Sequence, residues 1–130
     1  MKQMNITGLK RQVAQDVRHI VTEVNHMHGL MYLSDDSHHS RALHHCNRMA
    51  KAAKRMETIL NGVPDVVDDE VIWIVRHDLL TQLSSVRGYI ELLTMLVDEQ
   101  PVTHEDAMRR CLRNARFYSE RLDDNIRAEP

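Results

Sequence analysis

A chain of 130 residues and 15.2 kDa has room for one ordinary domain with a real core and excludes two large ones. Hydrophobic residues make up 42% and charged residues 28%, with four Gly and three Pro, a composition of helices and not of disorder or linkers. Seventeen Lys and Arg against nineteen Asp and Glu leave a net charge of −2, so no basic excess exists to neutralise nucleic-acid phosphates, and nucleic-acid binding is disfavoured.

The longest apolar run, Val71-Ile72-Trp73-Ile74-Val75, is far too short to span a bilayer, and residues 1–10 carry no apolar leader segment; the expectation is a cytoplasmic protein without membrane insertion. Cys46 and Cys111 both fall on apolar helical positions, as reduced core thiols would. Seven of the nine histidines (His19, His26, His28, His38, His39, His44 and His45) lie in the first half.

Turn-forming residues cluster at 34–40, 61–69 and 98–103 and divide the chain into four helical segments. The first spans about 8–33, with Val13, Val17, Ile20, Val24, Met27 and Met31 stepping four and three, the seam of a helix packed on other helices. The second spans about 40–60 on Ala42, Cys46, Met49, Ala53, Met56 and Leu60, and Asn61-Gly62 with Pro64 supplies its stop. The third opens at Asp68-Asp69-Glu70, whose carboxylates suit the positive end of a helix dipole, and continues through Ile72, Leu79, Leu83, Val86, Ile90, Leu93 and Val97. The fourth follows Pro101, with Thr103 as the expected N-cap, and shows Met108, Cys111, Ala115, Tyr118 and Leu122.

The two halves resemble each other. An offset of 59 places Val13, Ile20, Val24, Met27, Gly29 and Met31 on Ile72, Leu79, Leu83, Val86, Gly88 and Ile90, and an offset of 65 places Ala42, Leu43, Cys46, Arg48 and Ala50 on Ala107, Met108, Cys111, Arg113 and Ala115. The reading is an all-α, single-domain four-helix bundle over 1–130. It consists of two antiparallel hairpins, about 8–61 and about 69–127, joined by a connector at 62–68 and related by a pseudo-twofold.

Chemistry concentrates in the third helix, where Leu79, Leu83 and Val86 take the seam and leave His77, Thr81, Ser84 and Gly88 along one small-sided flank. A projecting imidazole beside Asp78, with the Thr81 hydroxyl one turn on, suits phosphoryl chemistry: the ring is a nucleophile, the acid orients it or takes its proton, and the hydroxyl positions a water. The plain alternative is a solvated histidine on an amphipathic helix.

The segment 77–93, His-Asp-Leu-Leu-Thr-Gln-Leu-Ser-Ser-Val-Arg-Gly-Tyr-Ile-Glu-Leu-Leu, resembles the H-box of the dimerisation and histidine-phosphotransfer (HisKA-like) domain of sensor histidine kinases. That resemblance implies His77 as phospho-acceptor, Asp78 as the adjacent acid, and Thr81 as the residue used in removing phosphate from a response regulator. Leu80 stands where the family has a basic residue, and Gln82 where it has a helix-kinking proline, so a straighter helix is expected. Only 37 residues follow Leu93, too few for an ATP-binding domain, and no Gly-rich nucleotide loop is present, so autophosphorylation from ATP is not expected. Arg18 falls on His77 in the offset alignment, which leaves one acceptor histidine.

Metal binding is a competing reading. Glu23-Val24-Asn25-His26 is a Glu-x-x-His pair of the di-iron type, but Glu70, Glu91 and Glu105 lack the matching His, so no second pair exists. A mononuclear site could gather His28, His45, His44, His38 and His39 where the first hairpin turns, although no carboxylate or Cys at ligand spacing completes it.

The arginines Arg109, Arg110, Arg113 and Arg116 read either as a solvated face or as a border of the His77 groove that receives an acidic receiver pocket. Nine basic and five acidic residues up to Gly62, against eight and fourteen beyond it, favour electrostatic docking of the two hairpins. The expectation for function is a stand-alone phosphorelay protein. His77, Asp78 and Thr81 would carry the chemistry, and Gln82, Ser84, Ser85, Gly88, Arg109 and Arg113 would bind the partner, a response-regulator receiver domain, with a sensor kinase as a further partner. No cofactor of its own is expected, because Mg²⁺ sits on the receiver. Alternatives are a non-catalytic regulatory module and a phosphatase; monomer and homodimer both remain open, the latter through Trp73 and its apolar neighbours.

Overall fold

The computed structural model of the protein describes residues 2–32, 39–99 and 104–128. The order is β1 (Gln3–Asn5), α1 (Thr7–Tyr32), α2 (His39–Asn61), β2 (Val66–Asp68), α3 (Asp69–Glu99) and α4 (Glu105–Arg127). Each helix packs on two neighbours, α1 on α2 and α4, α3 on α2 and α4, which makes a square four-helix bundle. No helix among the described residues is long and apolar enough to cross a membrane.

Partner residues fix the helix directions. On α1 and α4, His19 meets Tyr118, Glu23 meets Asn114 and His26 meets Cys111, one number rising as the other falls. Arg109 with Asp98 and Arg116 with Glu91 show the same for α3 and α4. Neighbouring helices are thus antiparallel, and α1 and α3 run parallel across the diagonal.

The seam residues form the core: Val13, Ile20, Val24 and Met27 of α1 meet Met49 and Met56 of α2, Leu79, Leu83 and Leu93 of α3, and Leu122 and Ile126 of α4. Each large side chain fully withdrawn from water contributes about 1.5–3 kcal/mol, and this seam is what holds hairpins that could not stand alone.

Burial follows the pseudo-twofold. With an offset of 59, buried Val13, Asp16, Ile20, Val24, Met27 and Met31 fall on buried Ile72, Val75, Leu79, Leu83, Val86 and Ile90. The second helices need a correction. An offset of 65 puts buried Met56 on exposed Arg121, whereas 66 places Ala42, Cys46, Met49, Ala53, Met56 and Leu60 on buried Met108, Leu112, Ala115, Ser119, Leu122 and Ile126. A one-residue slip turns a helix by about 100°, so burial selects between offsets that identities of small residues do not. The inter-hairpin interfaces, α1 on α4 and α2 on α3, are the wider pair and the intra-hairpin ones the narrower, as that symmetry requires.

The antiparallel ribbon of β1 and β2 pairs Gln3 with Asp68, Met4 with Val67 and Asn5 with Val66 where α1 and α3 begin. Nothing in the sequence pattern marks it. Ile6, Val67 and Ile72 form a small second core beneath it, and Lys10 donates to the Val63 carbonyl (2.6 Å) and pairs with Asp65 (3.0 Å).

The α3 start is as expected: Asp68 Oδ1 accepts from the Val71 amide at 2.9 Å, a side-chain N-cap. The α2 stop falls at Asn61, where the Gly62 amide donates to the Thr58 and Ile59 carbonyls without left-handed φ. Thr103 lies outside the described residues, and the α4 N-cap is His104, in the left-handed region (φ 61°, ψ 38°) with no side-chain cap bond. Among the described residues two ion pairs join the first half of the chain to the second, Lys10 with Asp65 of the connector and Arg121 with Asp16, the second with its basic residue in the acidic half.

Candidate functional site

His77 lies two turns into α3, near the ribbon end of the bundle. The helix runs unbroken from Asp69 to Glu99, with Leu80 and Gln82 inside it, so no helix break occurs where the resembling family has its proline. Leu79, Leu83 and Val86 point to the core, which forces His77, Asp78, Thr81, Ser84, Ser85 and Gly88 to the exposed side. Thr81 Oγ1 donates to the His77 carbonyl at 3.0 Å. That bond steadies the threonine and leaves the imidazole nitrogens to solvent.

Two features escape the linear reading. First, His77 stacks on Trp73, one turn earlier, with ring centroids 5.7 Å apart and planes 6° from parallel. Trp73 is itself 69% exposed and Ile74 52%, so an apolar shelf adjoins the imidazole. Second, α2 supplies the opposite wall of an open groove, where Arg55, Thr58 and Ile59 face His77, Asp78, Thr81 and Gln82. Arg55 is exposed and makes no hydrogen bond or ion pair with any described residue, so its guanidinium is free for a ligand. Reflection about the connector at 62–68 would set residue 53 across from residue 77, so the observed meeting of Thr58 with His77 follows from the packed register and not from hairpin arithmetic.

Arg109 and Arg113 do not border this groove. Arg109 pairs with Asp98 (2.7 Å) and Glu105 (3.4 Å), and 21 residues of α3 separate Asp98 from His77, about 30 Å of helix. Arg113 shares a pocket with Thr94, Arg110 and Arg116 toward that same far end. The antiparallel turn between α3 and α4 dictates this: the start of α4 meets the end of α3.

The histidine gathering expected around His28 and His45 does not produce three metal ligands among the described residues; His38 and the side chain of His39 lie outside them. His45 rests against Tyr89 (5.7 Å) and His44 (5.9 Å), with its Nδ1 buried and without a hydrogen bond. Among the described residues, the three side chains that come together as possible metal ligands are Glu23, His26 and Cys111, in the α1–α4 groove.

The symmetry-related position on α1 repeats the backbone detail without the chemistry. Thr22 Oγ1 donates to the Arg18 carbonyl at 2.9 Å, as Thr81 does to His77, but the residue at the acceptor position is arginine. His19, next to it, is stacked on Tyr118 with centroids 4.3 Å apart. No protein-family model, no curated protein and no solved structure matches the chain.

Proposed function

We propose that the protein is a histidine phosphotransfer protein of a two-component phosphorelay, exchanging a phosphoryl group between His77 and the aspartate of a receiver domain. The observation that carries this reading is the juxtaposition at the α2–α3 groove: an exposed imidazole with Asp78 and Thr81 on its own helix, and an unpaired Arg55 on the facing one. The resemblance of residues 77–93 to the H-box supports it independently.

In the forward step the lone pair of neutral His77 forms the N–P bond as the P–O bond to the receiver aspartate breaks. The aspartate leaves as a carboxylate, and Asp78 stabilises the imidazolium until its proton passes to solvent. Arg55 faces the incoming phosphoryl oxygens and the acidic receiver pocket, while Mg²⁺ on the receiver screens the remaining charge. Trp73 and Ile74 supply the apolar contact, and Ser84, Ser85 and Gly88 a low surface against which a receiver helix can lie. In a separate hydrolytic branch Thr81 and Gln82 hold a water that attacks the receiver's aspartyl phosphate, the P–O bond to the aspartate breaking to release inorganic phosphate and the carboxylate. Because the second hairpin is covalently supplied, one chain is the functional unit. Nothing in this chemistry asks for ATP.

The test incubates the reduced protein with radiolabelled phospho-receivers and Mg²⁺ and follows label on both partners, for wild type and His77→Gln. Acid-labile label on wild type and none on the variant is the expected result. Accelerated loss of receiver phosphate without label here would replace transfer by phosphatase action. Tight binding with the phosphate untouched would leave a sequestering module.

A further inference from the structure

On the face opposite His77, a second cluster joins the hairpins. Glu23 and His26, three apart on α1, meet Cys111 of α4, and the carboxylate, imidazole and thiol ligand atoms all lie within 4.8 Å of one another. Cys111 Sγ and His26 Nδ1 are 3.4 Å apart. A tetrahedral ion at the usual zinc–sulfur distance of about 2.3 Å and zinc–nitrogen distance of about 2.0–2.1 Å needs those two atoms about 3.6 Å apart. The helices therefore already hold the sulfur and nitrogen at coordination spacing. Asn114 donates from Nδ2 to Glu23 Oε1 at 3.2 Å, which leaves the other carboxylate oxygen for an ion and fixes its approach, as outer partners of metal ligands do.

We infer that Glu23, His26 and Cys111 form a site for one divalent transition-metal ion of the zinc type, with a fourth position open to water or an outside ligand. The donor set of one thiolate, one imidazole and one carboxylate suits zinc or cobalt and does not suit magnesium or calcium, which take oxygen ligands. Binding exchanges the thiol proton for the metal: the S–H bond breaks, the S–metal bond forms, and the proton leaves to buffer. The ion bridges α1 to α4 and so clamps the first hairpin onto the one that carries His77. His26 is exposed, which gives the ion a way in.

The fully reduced chain is titrated with Co²⁺, following the thiolate-to-cobalt charge-transfer absorption in the near ultraviolet, a band that ordinary surface histidines do not produce. A band saturating at one Co²⁺ per chain and bleached by Zn²⁺ is expected. It should be abolished in Cys111→Ser, retained in Cys46→Ala, and formed with at least tenfold weaker affinity in His26→Ala, whose side chain is exposed and not needed for folding. Cobalt binding without the band, a band that survives Cys111→Ser, or unchanged affinity in His26→Ala overturns the site.

Discussion

Asn125 donates from Nδ2 to Oδ2 of Asp16 at 2.6 Å across the α4–α1 interface, and the residue at the position equivalent to Asp16 on α3 is Val75. A carboxylate thus occupies a seam position, fully buried, with Arg121 at 3.5 Å from its other oxygen. Removing the amide strands a buried acceptor, so Asn125→Leu is expected to cost about 1–3 kcal/mol in urea unfolding. Arg121 is nearly half exposed, but Asp16 is fully buried and its Oδ1 accepts no hydrogen bond from a described residue, so Arg121→Ala leaves that carboxylate without its cation and should cost about as much as Asn125→Leu. A larger loss for Arg121→Ala than for Asn125→Leu would show the ion pair to be the dominant partner.

A Cβ added at Gly88 would meet no atom within 4 Å, and its φ is not in the left-handed region. The helix interior gains from alanine, so Gly88→Ala should raise stability by about 1 kcal/mol in the same assay. Gly29, its symmetry mate, is equally open and should give a similar gain. Receiver affinity measured on Gly88→Ala then reports whether a partner uses the space that the bundle itself does not need.

Function and stability should separate at three neighbouring residues. His77→Gln removes an exposed side chain and is expected to leave the melting temperature within about 2 °C while abolishing label transfer. Trp73→Ala should likewise change stability by less than about 1 kcal/mol, yet slow transfer at least tenfold by removing the apolar shelf. Leu79→Ala, in the fully buried seam, should cost about 2–5 kcal/mol and lose activity through unfolding.

His45 gives the pH dependence a definite sign. Burial, then the charges of His44 and Arg41, hold its pKa below 6.5 in the folded chain. As pH falls through 6.5 the unfolded chain takes up this proton first, so the folded state loses stability from there down to the folded pKa and no further. Urea midpoints at about pH 7.5 and pH 5.5 should therefore fall less in His45→Gln than in wild type. An equal fall in both would remove His45 from the pH response.

Four helices and their seams were readable because Val13 to Met31 and Leu79 to Val97 repeat at three and four, a period that survives whatever packs against it. The far-end placement of Arg109 was readable too, had antiparallel register been carried from α3 to α4, whereas the register of the α2 wall is not given by reflection about the connector. The Glu23–His26–Cys111 cluster was not readable either. Helices α1 and α4 are joined by no single loop, so their register follows only from the closed core. The ribbon was hidden for another reason: Gln3–Asn5 is three residues long, with no alternation to distinguish it from a frayed terminus.

The tandem arrangement of the hairpins also bears on what the bundle is free to become. In an assembly of two identical chains every substitution is made twice, so a carboxylate introduced at the place of Val75 would arrive in both halves of the core and strand two charges there. Within one chain it needs a single answering residue, and Asn125 is that residue. The same independence lets one groove carry an imidazole beside a free arginine while the groove behind it gathers sulfur, nitrogen and oxygen donors. Two symmetry-related surfaces, one between α2 and α3 and the other between α1 and α4, can thus present different groups to different ligands.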